Sequence, residues 1–154
     1  MRRWESGGLE PVGTRDHARG PKGAPVTLVK YGDYECPYCG EANPVLKELQ
    51  ERAGEQVRFV FRHFPLDSAH TRARRAAQAA EAAASQGRFW EMHDLLYERQ
   101  AELGEEDLMR YAVELGLDLR RFEDDLANDH LAWRIEEDRL SGNRAGVGDR
   151  LPSS

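Results

Sequence analysis

The sequence lacks the features that would point to several function classes. Among 154 residues there are only two cysteines. That excludes a secreted disulfide scaffold, and in a reducing compartment a lone close pair is more often catalytic or metal-binding. Positive charge is not in excess: 22 Lys+Arg against 28 Asp+Glu leave a formal net charge of -6. Nucleic acid and anionic membrane surfaces favour a basic face, so neither is expected as a partner. No apolar run approaches the roughly 18 residues of a membrane span. The start, Met1-Arg2-Arg3-Trp4, is basic but has no apolar h-region behind it. No secretory signal is read there, and the chain is expected in the cytoplasm. Strand patterns are also scarce, with none between Ser68 and about Gly142.

What is present falls into four stretches. Residues 1–25 are rich in Gly and Pro and read as an extended lead-in with little core of its own. Residues 26–66 read as strand, helix, strand. Val26-Thr27-Leu28-Val29-Lys30-Tyr31 is β-branched and bounded by Pro25 and Gly32, and its apolar content predicts a buried parallel strand. Val45, Leu46 and Leu49 then recur at helical spacing up to Gly54, with Pro37 suited to a first turn and Pro44 predicting a kink. In the second strand Val57, Phe59 and Phe61 alternate with Arg58, Val60 and Arg62. A βαβ unit of this length is right-handed and parallel. Residues 67–145 read as five helices, and 146–154 as an irregular tail. The first helix is alanine-dense. Phe89, Met92 and Leu96 mark the second; Leu108, Tyr111 and Ala112 the third, which Gly116 stops. Asp118 is placed to cap the fourth, and Leu131, Trp133 and Ile135 belong to the fifth, with the aromatics expected in the core.

Both cysteines lie in Tyr34-Glu35-Cys36-Pro37-Tyr38-Cys39-Gly40, between the first strand and its helix. Residues i and i+3 share a helix face, so Cys36 and Cys39 can close a disulfide without backbone movement. Cys36 at the helix start faces unsatisfied amides and the positive end of the dipole, both of which favour the nucleophilic thiolate. Cys39, one turn deeper, is the natural resolving thiol. Pro37 fixes the turn and Tyr38 offers an aromatic surface, while Glu35 and Asp33 add opposing negative charge. The chemistry indicated is dithiol–disulfide exchange, with the Cys36–Cys39 disulfide as the redox group and no separate cofactor. The competing metal reading needs His63 and His70 to complete a four-ligand zinc site, and their separation is longer than the usual histidine spacing.

Asp33-Tyr34-Glu35-Cys36-Pro37-Tyr38-Cys39-Gly40 resembles the active site of the DsbA-like thioredoxin-fold family. Arg15-Asp16-His17-Ala18-Arg19-Gly20 with Ala24-Pro25-Val26-Thr27-Leu28-Val29, Phe61-Arg62-His63-Phe64-Pro65-Leu66 and Gly87-Arg88-Phe89-Trp90-Glu91-Met92-His93-Asp94 extend the resemblance over about residues 9–147. It implies an α/β thioredoxin fold with a helical domain inserted after the second strand. Cys36 would attack, Cys39 resolve, and His63 and His93 belong to packing motifs. Partners would be protein or peptide thiols and disulfides, together with a redox-recycling partner.

Two positions depart from the family pattern. The residue six before the first cysteine is acidic in many relatives and relays a proton to the resolving thiol; here it is Lys30, which would favour a Cys39 thiolate or else snorkel outward. The family also continues into a loop with a cis-proline, two strands and a helix, where this chain reads Gly146-Val147-Gly148-Asp149-Arg150-Leu151-Pro152-Ser153-Ser154. The cis-proline role is not carried onto Pro152, and a C-terminally truncated product is expected. Its first strand would keep one unpaired edge. The alternative to an enzyme is a catalytically impaired fragment that acts only as a binding module, through its helical domain.

Overall fold

The computed structural model describes residues 9–66 and 69–147. Residues 148–154 of the tail, with Pro152, lie outside the described residues. The fold is mixed α/β. Three strands, β1 (His17–Arg19), β2 (Val26–Gly32) and β3 (Val57–His63), form one sheet in the order β1-β3-β2. Helix α1 (Pro37–Ala53) connects β2 to β3. Helices α2 (Ala73–Ala84), α3 (Phe89–Glu98), α4 (Glu105–Glu114), α5 (Leu119–Leu126) and α6 (Asp129–Arg144) follow.

β2 and β3 run parallel, Val26 opposite Val57 through Gly32 opposite His63. That is the expected βαβ unit. The burial expected for β2 needs correction, however. The strand is parallel but lies at the sheet edge among the described residues, with Val26 53% exposed. The buried strand is β3, covered on both faces from Phe59 to His63. β1 pairs with its other edge, antiparallel, His17 opposite Phe61. The lead-in therefore contributes a strand that its composition does not signal.

β1 is held by charge inserted into the core. Arg62 is buried; its Nε and one Nη donate to the two carboxylate oxygens of Asp16 at 2.8 and 3.0 Å. The guanidinium also donates to Tyr31 Oη and to the Glu10 and Pro11 carbonyls. Every donor edge is thereby occupied, which is what makes a buried cation tolerable. Burial lowers the attraction of this site for charge, but the Asp16 hydrogen bonds and charge hold Arg62 more firmly protonated. The ion pair fastens residues 10–16 across the end of the sheet.

The helical part packs around α2. Ala76, Ala79, Ala80, Ala82 and Ala83 are fully buried, and α2 touches α3, α4, α5 and α6. Small side chains let these helices approach closely enough for Met92, Leu96, Leu108, Tyr111, Phe122 and Ile135 to close the remaining space. The caps follow the sequence signals: Asp118 accepts from Arg121 N–H at 3.1 Å, and Gly54 and Gly116 take positive φ at helix ends. Trp133, expected in the core, is exposed on α6, and only Ile135 of that trio is fully buried. Pro44 does not end α1, which runs on to Ala53.

Candidate active site

β2 delivers the chain to the start of α1, where the two cysteines sit. Cys36 is the N-cap in extended conformation, Pro37 occupies the first helical turn, and Cys39 follows within that turn. Both cysteines are free and partly exposed. No side chain caps the helix, so the orphan amides of its first turn face the Cys36 side. Tyr38, between the two cysteines in sequence, is 68% exposed. Burial raises the Cys39 thiol above the ordinary range, while the Asp33 backbone and the Lys30 charge oppose that rise.

The loop leading into Cys36 is stitched to the helical part by polar contacts. Asp33 is buried, and its carboxylate accepts from Glu35 N–H and Leu66 N–H, each at 2.7 Å, and from His70 Nδ1 at 2.9 Å. Glu35 accepts from Arg72 N–H at 3.1 Å. The two carboxylates expected to oppose thiolate formation are thus both engaged by donors. Tyr34, fully enclosed, bonds His93 Nδ1 through its hydroxyl at 2.8 Å. Burial holds His93 well below the ordinary histidine range, so its imidazole is neutral and serves packing.

Gln100 was not legible in the sequence. Its amide, just past α3, donates to the carbonyls of Tyr34 (2.9 Å) and Cys36 (2.8 Å). A Cβ at Gly40 would collide with the Gln100 amide oxygen where it now sits, so this clamp forms as seen only with glycine at residue 40. A glycine inside a helix directly after the second cysteine was the available signal. Lower on α1, Asn43 donates to Asp94 at 3.3 Å and Lys47 pairs with the same carboxylate at 3.4 Å. Asp94 also receives Arg19 from β1.

The zinc reading does not survive this geometry. His63 faces Glu81 and His70 faces Asp33, and neither turns to the cysteines. Among the described residues, the one convergent set of three possible ligands is His17, His63 and Glu81. There both imidazole Nε2 atoms donate to the same Glu81 oxygen at 2.7 Å. These hydrogen bonds overcome burial and hold Glu81 far below the usual glutamate range. A metal at His63 Nε2 would move the proton to Nδ1, which is buried with no acceptor. Metal-bound imidazoles ordinarily donate that second N–H, so the cluster reads as a carboxylate clamp.

A βαβ unit with a cysteine pair at its helix start and a helical insertion beyond it defines the thioredoxin-like class. A family model described as Thioredoxin matches residues 13–153. The chain is 28% identical to a thioredoxin-like oxidoreductase from Silicibacter pomeroyi DSS-3, at a TM-score of 0.77 over 95% of this chain and 80% of that one. The thiol-disulfide exchange protein alpha-DsbA2 from Wolbachia pipientis shares the fold at a TM-score of 0.77, with 22% identity over 88% of this chain and 73% of that one. The chain belongs to the thioredoxin family whose model it matches. It is also 56% identical over 124 residues to the Na(+)/H(+) antiporter NhaA 3 of Salinispora tropica, covering 80% of this chain and 19% of that protein. The chain thus spans about a fifth of the length of the curated relatives it matches.

Proposed function

We propose that the chain exchanges disulfides with protein or peptide substrates through Cys36-Pro37-Tyr38-Cys39. Cys36 attacks or is attacked, and Cys39 resolves the mixed disulfide by displacing the partner. The observation that carries this reading is the placement of two free cysteines at the N-cap and first turn of α1, with no competing cap. Pro37 and Tyr38 shape the turn and its rim, and Gln100 holds the Cys36 carbonyl. The redox group is the pair itself, returned to its starting state by a separate redox partner.

The transport named for the antiporter relatives is not extended to this segment, whose family model is that of thioredoxin. No described helix is long and apolar enough to cross a membrane. A second reading, a thioredoxin-like binding module, draws on the apolar side chains left open at β2 and α1, Val26, Val45 and Leu49.

Oxidation of reduced ribonuclease and reduction of insulin test the proposal. Wild-type protein is expected to accelerate at least one of them, and Cys36→Ser to abolish the effect. Equal rates with and without Cys36 would leave the binding module.

A further inference from the structure

Lys30 lies on β2 opposite Phe61, six residues before Cys36. Its ammonium has not snorkelled out. Nζ donates to the Cys39 carbonyl at 3.2 Å and lies 4.7 Å from the centre of the Tyr97 ring. Both contacts hold the head group in place, and neither neutralises it. Among the described residues, no carboxylate lies within 4.0 Å of Lys30 Nζ, and Asp33 is engaged by Leu66, Glu35 and His70. The titratable groups facing Lys30 are Cys36 and Cys39 from α1 and Tyr97 and His93 from α3. His93 is neutral, and burial keeps the Tyr97 hydroxyl protonated well beyond the ordinary range. A partly buried cation without a counter-ion is costly, and the anions available to it are the thiolates.

We propose that Lys30 is the counter-ion of the Cys39 thiolate and biases the pair towards oxidising protein dithiols. The proposal rests on the exchange reading above and gives that reaction a direction. In this direction a substrate thiolate attacks Cys36 Sγ, the Cys36–Cys39 bond breaks, and its electron pair departs on Cys39 Sγ. A second substrate thiolate attacks the substrate sulfur of the mixed disulfide and releases Cys36 as thiolate. Two substrate thiols become one disulfide, the protein disulfide becomes a dithiol, and the two protons pass to the protein thiols or to solvent. Lys30 acts on both rate and equilibrium. It stabilises Cys39 as leaving group, and a better-stabilised thiolate leaves faster. Where Cys39 ionises, above the ordinary thiol range because of its burial, Lys30 also gains a counter-charge that the neutral disulfide cannot supply. Lys30 touches the Cys39 carbonyl rather than its sulfur, so it acts as a positioning charge.

Lys30→Met, Lys30→Gln and Lys30→Arg test this in two measurements. The first is the equilibrium of the full chain with glutathione buffers taken into the alkaline range where Cys39 ionises. Met and Gln are expected to lower the constant for reducing the protein disulfide about tenfold, a fall of about 30 mV in potential, with Arg near wild type. The second is the pH profile of Cys39 alkylation in the reduced protein, read by peptide mass spectrometry. Its midpoint is expected to move upward in Met and Gln and to stay in Arg. This needs no turnover. A folded Met or Gln variant that changes neither quantity overturns the proposal while the exchange reading stands. A wild type that closes no Cys36–Cys39 disulfide in any glutathione buffer overturns both.

Discussion

Helices α1 and α2 are held by different physics. Most of α2 is buried alanine, enclosed by four other helices, and its attachment is apolar packing. In α1 only Asn43 is buried, while Val45 and Leu49 are 65% and 43% exposed. What fixes α1 is a set of directional bonds: Lys30 to Cys39, Gln100 to Cys36, Asn43 and Lys47 to Asp94, and Gln50 to the Val57 carbonyl. The apolar side chains at helical spacing on α1, Val45 and Leu49, do not reach the core. Packing supplies stability in one half, and hydrogen bonds supply position in the other. A redox site needs position more than burial, because each partner must reach the sulfurs.

The sharpest contrast comes from truncating one leucine in each half. Leu96→Ala opens a cavity in the fully enclosed cluster and is expected to cost about 2–5 kcal/mol. Chemical denaturation should show that loss as a lower midpoint at unchanged slope. Leu49→Ala, on the exposed face of α1, is expected to change stability by about 0.5 kcal/mol or less. Comparable losses at the two positions would mean that α1 is covered in solution and that the contrast is false.

Between these extremes lies the Glu81 clamp. Its folded pKa is depressed below the ordinary value of 4.5 by the His17 and His63 hydrogen bonds. A depressed carboxylate contributes stability that is fully present above its unfolded pKa and is lost as pH falls towards the folded one. Wild-type melting temperature should therefore fall on acidification below about pH 5. Glu81→Gln should be less stable near neutrality and should show a shallower fall, with the two curves converging in acid. Parallel curves would remove Glu81 from the acid response.

Much of this was legible locally. Cysteine spacing, Pro37 and the preceding strand placed the site at a helix start, and Asp118, Gly54 and Gly116 marked helix ends. What escaped depends on partners far away in sequence. β1 has three residues in a Gly- and Pro-rich stretch and exists because it pairs with β3 and because Arg62 holds Asp16. The alternation in β3 could not reveal that Arg62 is buried, because the ion pair joins residues 46 apart. Gln100 reaches the Cys36 carbonyl across 64 residues, and only Gly40 carries a trace of it. Hydrophobic periodicity marked Val45 and Leu49 correctly as one face of a helix. It could not tell whether anything packs on that face.

The most direct measurement is trapping of the mixed disulfide. Cys39→Ser, incubated with a disulfide-bearing peptide, should accumulate a covalent adduct at Cys36, because the resolving thiol is absent. Cys36→Ser should accumulate none, since the remaining thiol packs against the core cluster and sits deeper in the helix turn. An adduct confined to Cys36, seen by intact mass and peptide mapping, is the result expected. Equal adducts on either cysteine, or none in Cys39→Ser, would contradict a helix terminus built to present one nucleophile.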